Sequence, residues 1–254
     1  GSPAAFFVSV NRRTARIPGQ IHHPFRMLRR LATFVFLAAA LPFTPAAKPA
    51  ATTADLSHWS IEQQPGGSVT VRDGALIIED AAGCTAWLRQ KLTAPVEIAY
   101  EVTVVSRGGP HDRVSDVNCF WMATDPQNPD TLPSGRSGRF ADYDELRTYY
   151  VGMGGNENTT TRFRRYAGDG TKPLRPEHDL RDKQYLLEPN RTYRIKLVAA
   201  DGHAEFWRDG EKILSFADPS PLTSGWFAIR TVKSHLEIRN LQITTSKSVP
   251  AETR

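Results

Sequence analysis

Apolar and polar residues alternate through much of the chain from Leu56 onward. That period puts successive side chains on opposite faces of an extended strand, with one face buried. It is clearest in "PVEIAYEVTVVS" (95–106) and in "HLEIRNLQITT" (235–245). "SVTVRDGALIIED" predicts a hairpin turning at Asp73-Gly74. "TYRIKLVAADGHAEFWRDGEKILSF" predicts two more, turning at Asp201-Gly202 and Asp209-Gly210. Asp-Gly between alternating runs is a strong two-residue hairpin signal. "DVNCFWMAT", "ELRTYYV", "TRFRRY" and "GWFAIRT" are further strand-length runs, and no segment keeps a helical period over three turns. Short strands with a turn signal every eight to twelve residues or so predict an all-β sandwich or barrel. Three irregular stretches read as long loops: 107–115 with His111, 125–142, and 173–183 with His178. Long loops on a compact β domain usually carry binding function.

The N-terminal part follows a different pattern. Met27-Leu28-Arg29-Arg30 is basic, 31–43 is apolar, and Thr44-Pro45-Ala46-Ala47 is a small-residue exit. This is the anatomy of a secretory signal peptide, and the expected location is secreted or periplasmic. A bilayer span takes about 20 apolar residues, so the run is short for the alternative of a membrane anchor, and no membrane insertion is expected after removal. Residues 1–26 are expected to be disordered upstream sequence, with Gly1-Ser2 a cloning remnant. The remaining division is a tether over 48–57, one β domain over 58–246 and a tail over 247–254.

Setting the leader aside changes the charge. The full chain has 32 basic and 27 acidic residues; without the six arginines of 1–47 it has 26 against 27, net −1. The basic balance therefore belongs to the leader, and a nucleic-acid partner is excluded for want of a basic footprint on the domain. Cys84 and Cys119 are the two cysteines. Export permits a disulfide between them, and their apolar surroundings equally fit two buried thiols.

A family resemblance is carried by the order of "DVNCFWMATDP", "DYDELRTYYVGMGGNENTTTRFRRY", "RPEHDL", "NRTYRIKLV", "FWRDGEKI" and "GWFAIRTVKSHLEIRNLQI". The chain from about Trp59 to Thr244 resembles a bacterial domain of unknown function related to YesU-like proteins of polysaccharide-degradation clusters. The resemblance implies a concanavalin-like β-jelly-roll of two antiparallel sheets, one concave and open as a groove for a polysaccharide or oligosaccharide. It implies no particular reaction.

The residues suggest the chemistry. Strand parity places Arg147 with Tyr149, and Arg162 and Arg164 with Tyr166; Leu146, Thr148 and Tyr150 take the face opposite Tyr149. If these sets line one concave face, guanidinium forks meet a carboxylate and phenol rings meet a pyranose. That suits a uronate. Cleavage by β-elimination needs the carboxylate neutralised, the C5 proton removed and the leaving oxygen protonated. The catalytic candidates are Tyr149, His178, Arg147 and Tyr166. The substrate-binding candidates are Arg162, Arg164, Asn118, Asn156, Arg230, His235 and Trp226.

A solvated sheet face is the plain alternative for these arginines. A hydrolase needs two carboxylates, for which Asp142-Tyr143-Asp144, Asp116 and the Glu177/Asp179 pair are sparse candidates. A lectin-like module would use Trp87, Trp121, Trp207 and Trp226 as platforms, although Trp121 and Trp207 are expected in the core. No cofactor is expected; Asp116, Asn118 and Asp125 are candidates for a structural calcium ion. Gly152-Met-Gly154-Gly155 lacks the ending of a phosphate loop and reads as close backbone approach.

Overall fold

A computed structural model describes residues 55–245; the leader and tail assigned above lie outside that range. In chain order the strands are β1 (Trp59–Gln63), β2 (Ser68–Arg72), β3 (Ala75–Glu79), β4 (Cys84–Leu88), β5 (Leu92–Thr93), β6 (Val96–Val105), β7 (Val117–Thr124) and β8 (Arg147–Gly154). They continue with β9 (Thr160–Ala167), β10 (Asp179–Leu180), β11 (Thr192–Ala200), β12 (His203–Arg208), β13 (Glu211–Ala217), β14 (Ser224–Thr231) and β15 (His235–Thr245). They form two antiparallel sheets. The eight-stranded sheet runs β1-β4-β14-β7-β8-β9-β10, with β5 on β14; the seven-stranded sheet runs β13-β12-β11-β6-β15-β3-β2. This is the predicted concanavalin-like jelly-roll sandwich.

The three predicted Asp-Gly turns are present. Both residues of each are left-handed: Asp73 and Gly74 at φ 52° and 73°, Asp201 and Gly202 at 50° and 74°, Asp209 and Gly210 at 53° and 87°. Positive φ at both positions gives a turn whose twist matches the flanking strands.

The two sheets bury their strands differently. In the seven-stranded sheet β6 and β11 alternate between buried and partly exposed positions. In the eight-stranded sheet β7, β8 and β14 are buried at nearly every position. One face packs into the core between the sheets, which includes Trp121, Tyr149, Phe163, Phe206, Phe227 and Leu236. The outer face carries a second buried cluster of Trp87, Phe120, Tyr143, Leu146, Tyr150, Tyr166 and Trp226. Residues 125–146 cover it, with the 3-10 turn Phe140–Tyr143 as the contact.

Cys84 and Cys119 are free thiols buried in the inter-sheet core. Among the described residues, no helix is long and apolar enough to cross a membrane.

Candidate functional site

Register lines up side chains in rows across the outer face of the eight-stranded sheet. One row reads Glu62, Thr85, Arg230, Asn118, Gly152, Arg162 and Asp179 from β1 to β10. Two residues along each strand, the next reads Ser60, Trp87, Ala228, Phe120, Tyr150 and Arg164. The first row is polar and the second largely aromatic. Phe120 stacks on Trp87 at 5.8 Å and meets Tyr150 at 5.3 Å, and Tyr150 meets Tyr166 at 5.6 Å. Such ring pairs contribute about 0.5–1.5 kcal/mol each beyond their buried area.

Glu62 fastens the covering loop over the β4 end of these rows. Its buried carboxylate accepts hydrogen bonds from Trp87 Nε1 (2.9 Å), Tyr143 OH (2.7 Å) and the Arg136 amide (2.7 Å). Arg136 in turn donates to Asp125 Oδ2 and to the carbonyls of Asp142 and Pro133.

Towards β8 and β9 the cover stops and a cleft of about 250 Å³ opens. Its walls include Asp116, Asn118, Phe140, Tyr150, Gly152, Asn156, Arg162, Arg164, Tyr166 and Lys172. Gly152 makes the hollow: a Cβ there would stand 2.5 Å from the Tyr150 hydroxyl and 3.2 Å from Asn118 Oδ1. Asn118 Oδ1, Tyr166 OH and, beneath them, Arg230 Nε are buried without a hydrogen-bond partner. Leaving such a group unpaired costs about 1–3 kcal/mol; Thr85 Oγ1 of the same polar row is unpaired as well.

The charges of the cleft are unevenly matched. Arg162 donates to Asp179 (2.6 Å), which also accepts from Arg181 (2.8 Å). Lys172 pairs with Asp144 (2.6 Å). Asp116 accepts from Ser115 Oγ (2.7 Å) and Arg113 (3.2 Å). Arg164 donates to the Lys172 carbonyl and has no carboxylate partner among the described residues. Arg230, fully buried, donates to the carbonyls of Thr231 and Gly138. Phe140 at 4.6 Å and Tyr143 at 5.4 Å face its guanidinium, and burial pulls its pKa below the ordinary value. Burial pushes the phenols of Tyr150 and Tyr166 well above the usual range, so both hydroxyls stay protonated.

One wall is a left-handed turn. Asn156, Glu157 and Asn158 all have positive φ, at 51°, 58° and 58°. Each such residue costs roughly 1–2 kcal/mol, a strain that persists only where surroundings enforce it. Asn158 enforces it, accepting from the Leu187 amide (2.8 Å) and donating to the Leu187 carbonyl (2.9 Å). Asn156 is thereby set at the cleft wall.

Asn118, Asn156, Arg162, Arg164 and Tyr166 thus come together, with Arg230 below. Other candidates lie elsewhere, and register is the reason. Parity within each strand is as expected, but Tyr149 is opposite Arg165, and Tyr150 opposite Arg164. Arg147 and Tyr149 therefore point away from the cleft, and Tyr150 points into it. Tyr149 is a core residue that donates to Asp218 (2.8 Å) and accepts from the Leu222 amide (3.0 Å). His178 is buried against Phe163 and Phe216, with Nε2 3.1 Å from the Ser215 carbonyl. His235 belongs to the other sheet and pairs with Asp112 at 3.0 Å. Trp226 is 4% exposed inside the second cluster beneath Lys91 and offers no open platform. Trp207 is not in the core: it lies half-buried on the outer face of the seven-stranded sheet between Lys196 and Lys212. Asp116 and Asp125 pair with different arginines, and the described residues hold no group of three or more metal-ligating His, Cys, Asp or Glu side chains. Lys172 was not legible as a site residue, because only the fold of 168–175 brings it over the cleft.

Comparison with known proteins agrees with this architecture. A Bacillus subtilis protein of unknown function with a galectin-like fold matches with a TM-score of 0.59 at 16% identity, over 77% of this chain and 94% of that one. The carbohydrate binding module CBM66 from Bacillus subtilis matches with a TM-score of 0.51 at 9% identity, over 74% and 96%. The VIP36 exoplasmic/lumenal domain in its Ca2+/Man-bound form matches with a TM-score of 0.51 at 12% identity, over 76% and 85%. At these identities the likeness is one of fold. No curated relative matches the sequence. Residues 78–241, which include every residue named as a cleft wall, match one sequence family, and the chain belongs to it: the domain of unknown function DUF6250.

Proposed function

We propose that the cleft binds an acidic saccharide, with a uronate as the recognised unit. The observation that carries this reading is the polarity of the cleft. Arg164 and Lys172 supply cationic donors on one side, and Asn118 Oδ1 is an unpartnered acceptor on the other. A uronate offers a carboxylate to the first and ring hydroxyls to the second. Tyr150 and Tyr166 add apolar ring surface and hydroxyls between them. The jelly-roll fold shared with a carbohydrate binding module fits the same reading, as would the secreted or periplasmic location expected from the sequence.

A uronate lyase is the catalytic form of the proposal. Arg164 and Lys172 would neutralise the carboxylate, and protonated Tyr166 would supply the proton to the leaving oxygen. His178 and Tyr149 lie outside the cleft, so removal of the C5 proton would fall to a bordering carboxylate. Asp116 lines the cleft, and Asp144 reaches it through Lys172, with its Oδ1 buried and unpartnered. Two carboxylates are also what a hydrolase uses.

One experiment separates these. The protein is incubated with a panel of uronic acids and uronate polymers, and binding heat, unsaturated-uronide absorbance and new reducing ends are followed together. Absorbance identifies a lyase, reducing ends alone a hydrolase, and saturable heat alone a binding module. In each case Arg164→Ala is expected to weaken the interaction at least tenfold, since a hydrogen bond to a charged group is worth about 1.5–3 kcal/mol. Unchanged affinity in the folded variant would remove the cleft from the reading.

A further inference from the structure

Beyond β9 the rim of the eight-stranded sheet carries a second hollow, of about 550 Å³. Arg147, Arg165, Arg175, Phe216 and the 218–222 turn wall it. The turn is held by a buried carboxylate: Asp218 accepts from Arg165 Nε (2.6 Å), Tyr149 OH (2.8 Å) and the Ser220 amide (2.9 Å). Those bonds engage both carboxylate oxygens of Asp218 within the fold. Arg147 is exposed, and among the described residues its guanidinium has no ion pair or hydrogen bond. Arg175, also exposed, lies over Phe216 at 4.7 Å, with Glu177 at 3.9 Å. The hollow therefore sets three guanidinium groups against two carboxylates, and the unmatched charge is at its mouth.

A chain of shared lining residues runs from the rim hollow to the cleft. β10 pairs with β9 only at Thr161 and Arg162, so no strand covers the edge of β9 over 163–167. A smaller hollow of about 200 Å³ follows that edge. It shares Arg164 with the cleft, and Arg165, Arg175 and Phe216 with the rim hollow. Neighbouring strand residues point to opposite faces. Arg164 and Arg165 thus place one cation on each side of an edge that no strand covers.

We propose that the rim hollow is a second anionic subsite for the same ligand. The ligand is then an oligosaccharide with negative charge on at least two of its units, bound in the cleft at one unit and turned over the β9 edge to a later one. This rests on the uronate reading of the cleft. The test is calorimetry with a panel of uronic acids and the corresponding hexamers. For the uronate that binds, the hexamer is expected to bind about tenfold more tightly than the monomer, the gain from two exposed charge pairs. The Arg147→Ala, Arg175→Ala double variant is expected to lose that gain and leave monomer affinity unchanged. Both side chains are exposed, and an unaltered unfolding temperature confirms that the variant is folded. A hexamer advantage that survives in the double variant, or is missing from the wild type, overturns the subsite. Failure of the cleft reading looks different: Arg164→Ala would leave monomer affinity intact while the hexamer still responds to the rim substitutions. No binding by any member of the panel overturns both.

Discussion

At the scale of the residue, the cleft depends on an omitted side chain. Gly152 sits in the polar row between Asn118 and Arg162, where any Cβ would strike the Tyr150 hydroxyl. Gly152→Ala is expected to destabilise the fold by about 1–3 kcal/mol through overpacking. It should also weaken saccharide binding about tenfold, because Tyr150 must turn into the cleft; calorimetry and urea denaturation read the two effects. Tyr149, one residue away in sequence from Tyr150, should behave in the opposite way. Its hydroxyl binds Asp218 and Leu222 behind the sheet, so Tyr149→Phe is expected to lower stability by roughly 1.5–3 kcal/mol with uronic-acid affinity unchanged. A matching loss of affinity would return Tyr149 to the site. The sequence shows both tyrosines and their opposite faces. It does not show which face is the cleft, because that is set by the pairing with β9, and a one-residue shift in pairing exchanges the faces.

At the scale of the element, legibility follows how each element is stabilised. The hairpins turning at Asp-Gly were readable because the turn chemistry is local. The pattern of β7, β8 and β14 was harder to read, since strands covered on both faces lose their alternation. The cover itself, 125–146, reads as polar loop and yet carries Tyr143 and Leu146 into a buried cluster; the contacts that hold it come from Glu62 on β1. The 107–115 loop is fixed by Asp112, whose carboxyl is held down to about 2, first by the amides of Arg107 and Gly109 and then by His235. A folded pKa below the unfolded value near 3.8 stabilises the native state above that value, and the contribution is lost as pH falls through about 2. Asp112→Asn is therefore expected to flatten the fall in stability between about pH 4 and pH 2, measured by thermal melts across that range. An unchanged slope would assign the acid sensitivity to other carboxylates.

At the scale of the whole molecule, the two sheets have different tasks. The seven-stranded sheet buries one face and leaves the other to solvent, as its alternation predicted. The central strands of the eight-stranded sheet, β4, β14, β7 and β8, are buried on both sides at nearly every position, and the cleft opens beside β8 and β9. The inter-sheet core shields both thiols. Burial raises the pKa of Cys84 and pushes that of Cys119 up to about 12. A thiol reagent at pH 8 is thus expected to leave both unmodified in the native protein and to label both in denaturant; rapid native labelling would show that the core opens. The same second cluster that gives β7, β8 and β14 their double burial also limits what the sheet can hold. Trp87, Phe120 and Tyr143 are fully enclosed, and with Arg230 they fill the outer surface over β4, β14 and β7. A long glycan cannot lie straight across every strand, because that track is already taken by the protein's own loop. An occupant must be short enough to end at the Phe140 wall, or bend away over the rim.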